Sequence, residues 1–121
     1  MPSGFEVTTH GGRKKTNIDA LKWAKHGVKQ GAGEILLTSM KSDGTKKGYN
    51  LKLTKIISEN VSVPVIASGG AGSPKDMVEV VLKAGASAVL AASIFHYGIH
   101  TINSVKNEMS KNGILVRVCE N

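Results

Sequence analysis

At 121 residues the chain has the size of one small domain, and its 40% hydrophobic content is that of a folded protein rather than a disordered one. Aromatic residues make up only 4%, too few for the stacking platforms of single-stranded nucleic-acid binders. The formal charge of +7 is spread along the chain, with short runs only at Arg13-Lys14-Lys15 and Lys46-Lys47, so it reads as a solvated basic face open to small anionic ligands rather than as a nucleic-acid patch.

Residues 5–9 read as a short extended segment, and residues 10–15 as a turn or loop. Thr16-Asn17-Ile18-Asp19 matches a capping box, with Thr16 as N-cap and Asp19 reaching back. The helix it opens carries Ile18, Leu21, Trp23, Ala24 and Val28, and Gly31 and Gly33 end it. Residues 34–39 (Glu-Ile-Leu-Leu-Thr-Ser) form a continuous apolar run, the pattern of a strand buried on both faces. A polar loop containing Asp43-Gly44-Thr45 follows, and Asn50 caps a second helix with Leu51, Leu53, Ile56 and Ile57 inward. Residues 63–67 are the next buried strand. Ser73 at N-cap and Pro74 at N1 start a third helix lined by Met77, Val78, Val81 and Leu82, and Gly85 closes it. Residues 88–92 are the third strand, and a last helix spans about 101–112 before Gly113 stops it. Residues 115–118 have an extended look. Strand and helix alternate, which predicts right-handed βαβ units and a parallel sheet. Residues 31–39 are echoed by residues 85–93, two strand–helix units later, as in folds built from duplicated units.

Ligands of parallel α/β folds bind beyond the carboxyl ends of the strands. Here those ends are Thr38-Ser39, Ser68-Gly69-Gly70 and Ala92-Ser93, each with a hydroxyl where the strand stops. Glycines after a strand let backbone N–H groups approach a phosphate, and the following helix start adds partial positive charge. The run Ser68-Gly69-Gly70-Ala71-Gly72 therefore reads either as a phosphate cradle or as an ordinary strand-to-helix turn; it is neither a Walker motif nor GxGxxG. Asp43 is either a general base or substrate acceptor, or a turn aspartate before Gly44. No second carboxylate stands at another strand end, although acid–base chemistry usually uses two. Glu34 opens its strand at the opposite, amino end, where a buried charge would need a partner. His10, His26, His96 and His100 lack metal-site spacing, and the strand-end serines lack a nucleophile-elbow context. Cys119 is the single cysteine, so no internal disulfide forms. No stretch has membrane-spanning length and no signal-peptide pattern is present, so the default expectation is a cytoplasmic protein without membrane contact.

These segments resemble one family. Residues 31–40, Asp43-Gly44-Thr45-Lys46, residues 66–72, residues 90–96 (Leu-Ala-Ala-Ser-Ile-Phe-His) and Thr9-His10-Gly11-Gly12-Arg13 are similar to the cyclase subunit of imidazole glycerol phosphate synthase, HisF. The resemblance runs from about Gly4 to the C-terminus. The related isomerase HisA shares the Ser-Gly-Gly turn and the Asp-Gly-Thr loop, but is not expected to carry the Ala-Gly after that turn or the Ala-Ala-Ser-Ile-Phe-His ending.

The resemblance implies half of a (βα)8 TIM barrel: parallel strands six to eight with flanking helices, in a single domain over residues 1–121. Residues 1–16 would be the loop or hairpin after a fifth strand lying upstream of Met1, and residues 17–121 a helix plus three βα units. It implies a lyase of histidine biosynthesis. With glutamine-derived ammonia from the HisH glutaminase, the cyclase converts a phosphoribulosyl formimino aminoimidazole carboxamide ribonucleotide to imidazole glycerol phosphate and the aminoimidazole carboxamide ribotide. Matched by position, Gly44, Gly69, Gly70 and Ser93 would hold one phosphate of that bisphosphate substrate, with Asp43 beside them as an auxiliary. Thr38 and Ser68 would lie near the substrate, and Glu34 would belong to the charged ring that gates the ammonia channel. No cofactor and no metal are implied. The family's two catalytic aspartates end strands one and five and have no counterpart here, so the isolated chain is expected to bind phosphate without catalysing cyclisation. Lys41 departs from the family's usual acidic residue. Two rivals stand beside this reading: a non-catalytic phosphate-binding half-barrel that works by homodimerisation or by complementing an N-terminal half through its open sheet edges, and a HisA-type isomerase fragment.

Overall fold

The computed structural model describes residues 2–10, 12–40, 48–92, 95, 98 and 100–117. Strands β1 (Glu6–Thr9) and β2 (Lys14–Asp19) form an antiparallel hairpin, followed by α1 (Ala20–Lys29). Then come β3 (Ile35–Thr38), α2 (Leu51–Asn60), β4 (Val65–Ser68), α3 (Pro74–Ala84), β5 (Ala88–Leu90) and α4 (Ile102–Lys111). The three later strands make a parallel sheet in the order β3-β4-β5, as the alternating pattern predicts. The chain is thus a mixed α/β protein with four helices and a three-stranded parallel sheet among the described residues. The two segments that echo each other in sequence supply the outer strands, on either side of β4.

Most helix ends fall where the sequence places them. Asn50 Oδ1 accepts from the Leu53 N–H at 3.0 Å, and Thr101 Oγ1 accepts from Ser104 N at 3.1 Å. Gly85 takes the left-handed conformation, φ 75°, and returns its N–H to Val80 O.

The first helix does not start where expected. Thr16 is not an N-cap: it lies inside β2, where its hydroxyl donates to Val7 O and accepts from Ile18 N. The Thr16 hydroxyl and the Asn17 amide, which donates to Glu6 Oε2 at 3.0 Å, are both engaged with β1 across the hairpin. A register shift between Glu6 and Thr8 accompanies Asn17 at φ 60°, the signature of a bulge. The hairpin therefore runs on to Asp19, which is the real N-cap, accepting from the Lys22 N–H at 3.1 Å.

Register separates the two faces of the sheet. Leu37, Ala67 and Val89 lie side by side, as do Ile35 and Val65, on the face covered by helices. The alternate rows are Leu36–Ile66–Ala88 and Thr38–Ser68–Leu90. That face is open: Leu36 is 59% exposed and Leu90 43%. The expectation that β3 is buried on both faces is thus corrected. Its apolar run has a helix layer on one side only among the described residues. One core cluster joins Ala67, Met77, Val80, Val105 and Met109; a second joins Leu53, Ile57 and Val65 with Phe5, Leu21 and Leu37 packed against it. No strand is formed over residues 115–117, and Val118 lies outside the described residues.

Candidate functional site

The carboxyl end of the sheet brings several predicted residues together. Thr38 and Ser68 are direct register partners on the open face, next to Leu90 in the same row. Thr38 is exposed and Ser68 half-buried. Immediately beyond Ser68, Gly69 and Gly70 take φ 93° and 110°, a region that side chains other than glycine rarely enter. The run is therefore one in which two consecutive residues have to be glycine. Both are buried, and so is Ala71.

Backbone ties hold this end of the sheet. The Ser39 N–H donates to Ser68 O at 3.1 Å, and the Gly48 N–H donates to Gly70 O at 2.7 Å. Ser39 and Gly48, which flank positions 41–47, are thereby tied to the last residue of β4 and to the glycine turn beyond it. Tyr49, buried beside Gly48, donates its hydroxyl to Leu90 O at 2.8 Å and so reaches the end of β5. Burial first, and then the nearby Asp76 carboxylate, push the Tyr49 phenol well above its ordinary pKa, so it stays a donor into the alkaline range. Asp76 Oδ2 accepts from Gly72 N at 2.8 Å and Ser73 N at 3.0 Å. The hairpin turn also reaches this end: a Cβ on Gly12 would meet the Met40 side chain at 3.2 Å.

Thr38, Ser68, Gly69 and Gly70 are gathered at this one end. Asp43, Gly44 and Ser93 lie outside the described residues, as do Lys41, His96 and Cys119. Glu34 stands just before β3, at the opposite end of the sheet from the glycine run. It is exposed rather than buried, so the partner demanded of a buried charge is not needed. Among the described residues no group of three or more His, Cys, Asp or Glu side chains is placed to hold a metal ion, and no helix is long and apolar enough to cross a membrane.

Gly48, Tyr49 and Asp76 are site neighbours that the strand-end reasoning passes over. Asp76 has a sequence signal, since it is the acidic residue three positions after the N-cap Ser73. Tyr49 has none, because its partner is a carbonyl 41 residues away.

A parallel sheet with glycine-rich turns and hydroxyls at its carboxyl end defines an α/β protein of the kind that binds ligands above the strand ends. The family model described as "Histidine biosynthesis protein" matches residues 2–101, and the chain belongs to that family.

Proposed function

We propose that the chain is the C-terminal half of the cyclase subunit of imidazole glycerol phosphate synthase and that it contributes one phosphate-binding site to that enzyme. The observation that carries this reading is the pair of left-handed glycines, Gly69 and Gly70, directly beyond the Thr38–Ser68 register pair. A backbone in that conformation can turn consecutive amides toward an anion, and the flanking hydroxyls can add side-chain donors. Gly44 and Ser93 would complete the cradle, with Asp43 as an auxiliary beside it. The ligand is one end of the bisphosphate ribonucleotide whose ring closure by ammonia yields imidazole glycerol phosphate and the aminoimidazole carboxamide ribotide.

In this reading Glu34 faces the end of the barrel where ammonia arrives from the HisH glutaminase, as one charge of the channel gate. Its exposed position before β3, away from the glycine run, suits that role. Chemistry needs the two aspartates of the N-terminal half, so the chain alone binds phosphate without turnover. The setting is cytoplasmic, and no cofactor takes part.

The test is twofold. Titration of inorganic phosphate should shift the Gly69 and Gly70 amides, and Gly70→Val should abolish the shift. Ammonia-dependent turnover should be absent from the chain alone and appear when an N-terminal half carrying both aspartates is added. Robust turnover by the chain alone, or no phosphate response at the glycines, would overturn the reading.

The open sheet face favours a second reading. Leu36 and Leu90 are exposed on it, and a half-barrel working by self-assembly would cover them. A clean monomer in sedimentation at high concentration would remove this alternative.

A further inference from the structure

The carboxylate of Asp76 is engaged more fully than a helix cap requires. An acidic side chain at the third helical position commonly reaches back to the N-cap amide, which accounts for its bond to Ser73 N at 3.0 Å. The same oxygen also takes the Gly72 N–H at 2.8 Å, one residue further upstream and inside the glycine run. Its other oxygen faces the loop after β3, where a Cβ on Gly48 would lie 3.4 Å from Oδ1. Gly48 in turn donates to Gly70 O, so the carboxylate and the glycine run share one backbone frame. Asp76 is half-buried, and its charge is felt by the Tyr49 phenol.

Where a glycine-rich turn feeds a helix, adjacent phosphoryl groups are commonly held by the turn amides and the helix-start amides in succession. Here the amides of Gly72 and of the N-cap Ser73 are already occupied by an internal anion, and Pro74, at the first helical position, has no N–H to offer. We propose that Asp76 is a specificity-determining residue that restricts the cradle to a single phosphate monoester. By filling the Gly72 and Ser73 amides it denies them to the second phosphoryl group of a diphosphate, and leaves Gly69 and Gly70 to serve one phosphoryl group. This inference rests on the phosphate reading of the glycine run given above.

Wild type, Asp76→Ala and Asp76→Asn are titrated with inorganic phosphate and with pyrophosphate, by calorimetry and by the amide shifts of Gly69, Gly70, Gly72 and Ser73. Wild type should show little preference for pyrophosphate, with shifts confined to Gly69 and Gly70. Asp76→Ala should raise the ratio of pyrophosphate to phosphate affinity about tenfold, the size of one charge-assisted hydrogen bond, and bring Gly72 and Ser73 into the response. Asp76→Asn keeps an acceptor on both amides and guards against a mere loss of the helix start. Its ratio should stay within about threefold of wild type, a shift smaller than that of one such bond. An unchanged ratio in Asp76→Ala would overturn the proposal. So would an Asp76→Asn ratio as high as that of the alanine variant, because charge alone would then explain it. If wild type binds neither anion, the cradle reading fails on its own. The role of Asp76 is then still decided by whether the alanine variant gains pyrophosphate shifts at Gly72 and Ser73.

Discussion

Helices α1 and α3 both start beside an aspartate that gathers backbone amides, yet α3 has four buried residues and α1 has none. Asp19 holds Ser3, through its amide and hydroxyl, together with the Lys22 amide, and so ties the N-terminal segment to α1. Asp76 holds Gly72 and Ser73, and so shapes the turn before α3. Both helices carry apolar stripes. The difference lies in their neighbours: α3 packs between α2 and α4, whereas α1 has α2 and the hairpin as its main neighbours among the described residues. An apolar stripe therefore sets which face of a helix turns inward, and neighbours on both flanks decide how far it is buried.

The sharpest way to break the contrast is to hollow out α3. Met77 is 1% exposed, and Met77→Ala should cost about 2–5 kcal/mol in a urea melt followed by circular dichroism. Next comes the end of that helix. Gly85 sits at φ 75°, and a Cβ there would lie 3.0 Å from Ser58 Oγ, whose hydroxyl already donates to Ala84 O. Gly85→Ala should destabilise by about 1–3 kcal/mol, combining left-handed strain with displacement of that hydroxyl.

A smaller, pH-dependent effect belongs to α1. The Ser3 hydroxyl, backed by the amides of Ser3, Lys22 and Leu21, holds the Asp19 carboxyl below its ordinary pKa against the opposing effect of its burial. A depressed folded-state pKa gives stability that is present above the unfolded value. It is lost as the pH falls from about 4 through the folded value. Asp19→Asn should flatten that acid limb of the stability profile; an unchanged limb would show that the Ser3 tie contributes nothing.

The smallest change is expected at Trp23, which is 52% exposed and stacks on His26 with ring centroids 5.6 Å apart. Trp23→Ala should move the unfolding midpoint by no more than about 0.5 kcal/mol, read by circular dichroism because the only tryptophan is then gone. A loss as large as that of Met77→Ala would mean that α1 is packed as tightly as α3.

The parts of the fold that were legible in the sequence are those fixed by local chemistry. Asn50, Ser73-Pro74, Gly85 and Thr101 mark helix ends because caps and left-handed turns depend on near neighbours. Thr16 misleads for the opposite reason: its pattern is local, but its hydroxyl and the Asn17 amide answer to β1 across the hairpin. Leu36 misleads because an apolar strand residue does not say whether anything covers it. Thr38, Ser68 and the glycines can be placed at one end of the sheet because strand ends can be counted along the chain. Tyr49 and Gly48 cannot, because their partners are main-chain carbonyls on other strands and loops, and a carbonyl leaves no mark in a sequence.

The two ties at the carboxyl end of the sheet, Ser39 N–H to Ser68 O and Gly48 N–H to Gly70 O, run from main chain to main chain. Every residue except proline carries that donor, and every residue carries that acceptor. Side chains can therefore change at positions 39 and 68 without touching the first bond, whereas the second joins two glycines, Gly48 at φ 109° and Gly70 at φ 110°, where a side chain would strain the backbone. The first tie leaves sequence free to drift, with proline at position 39 as the exception, and the second makes Gly70 a member of the frame and of the glycine turn at once.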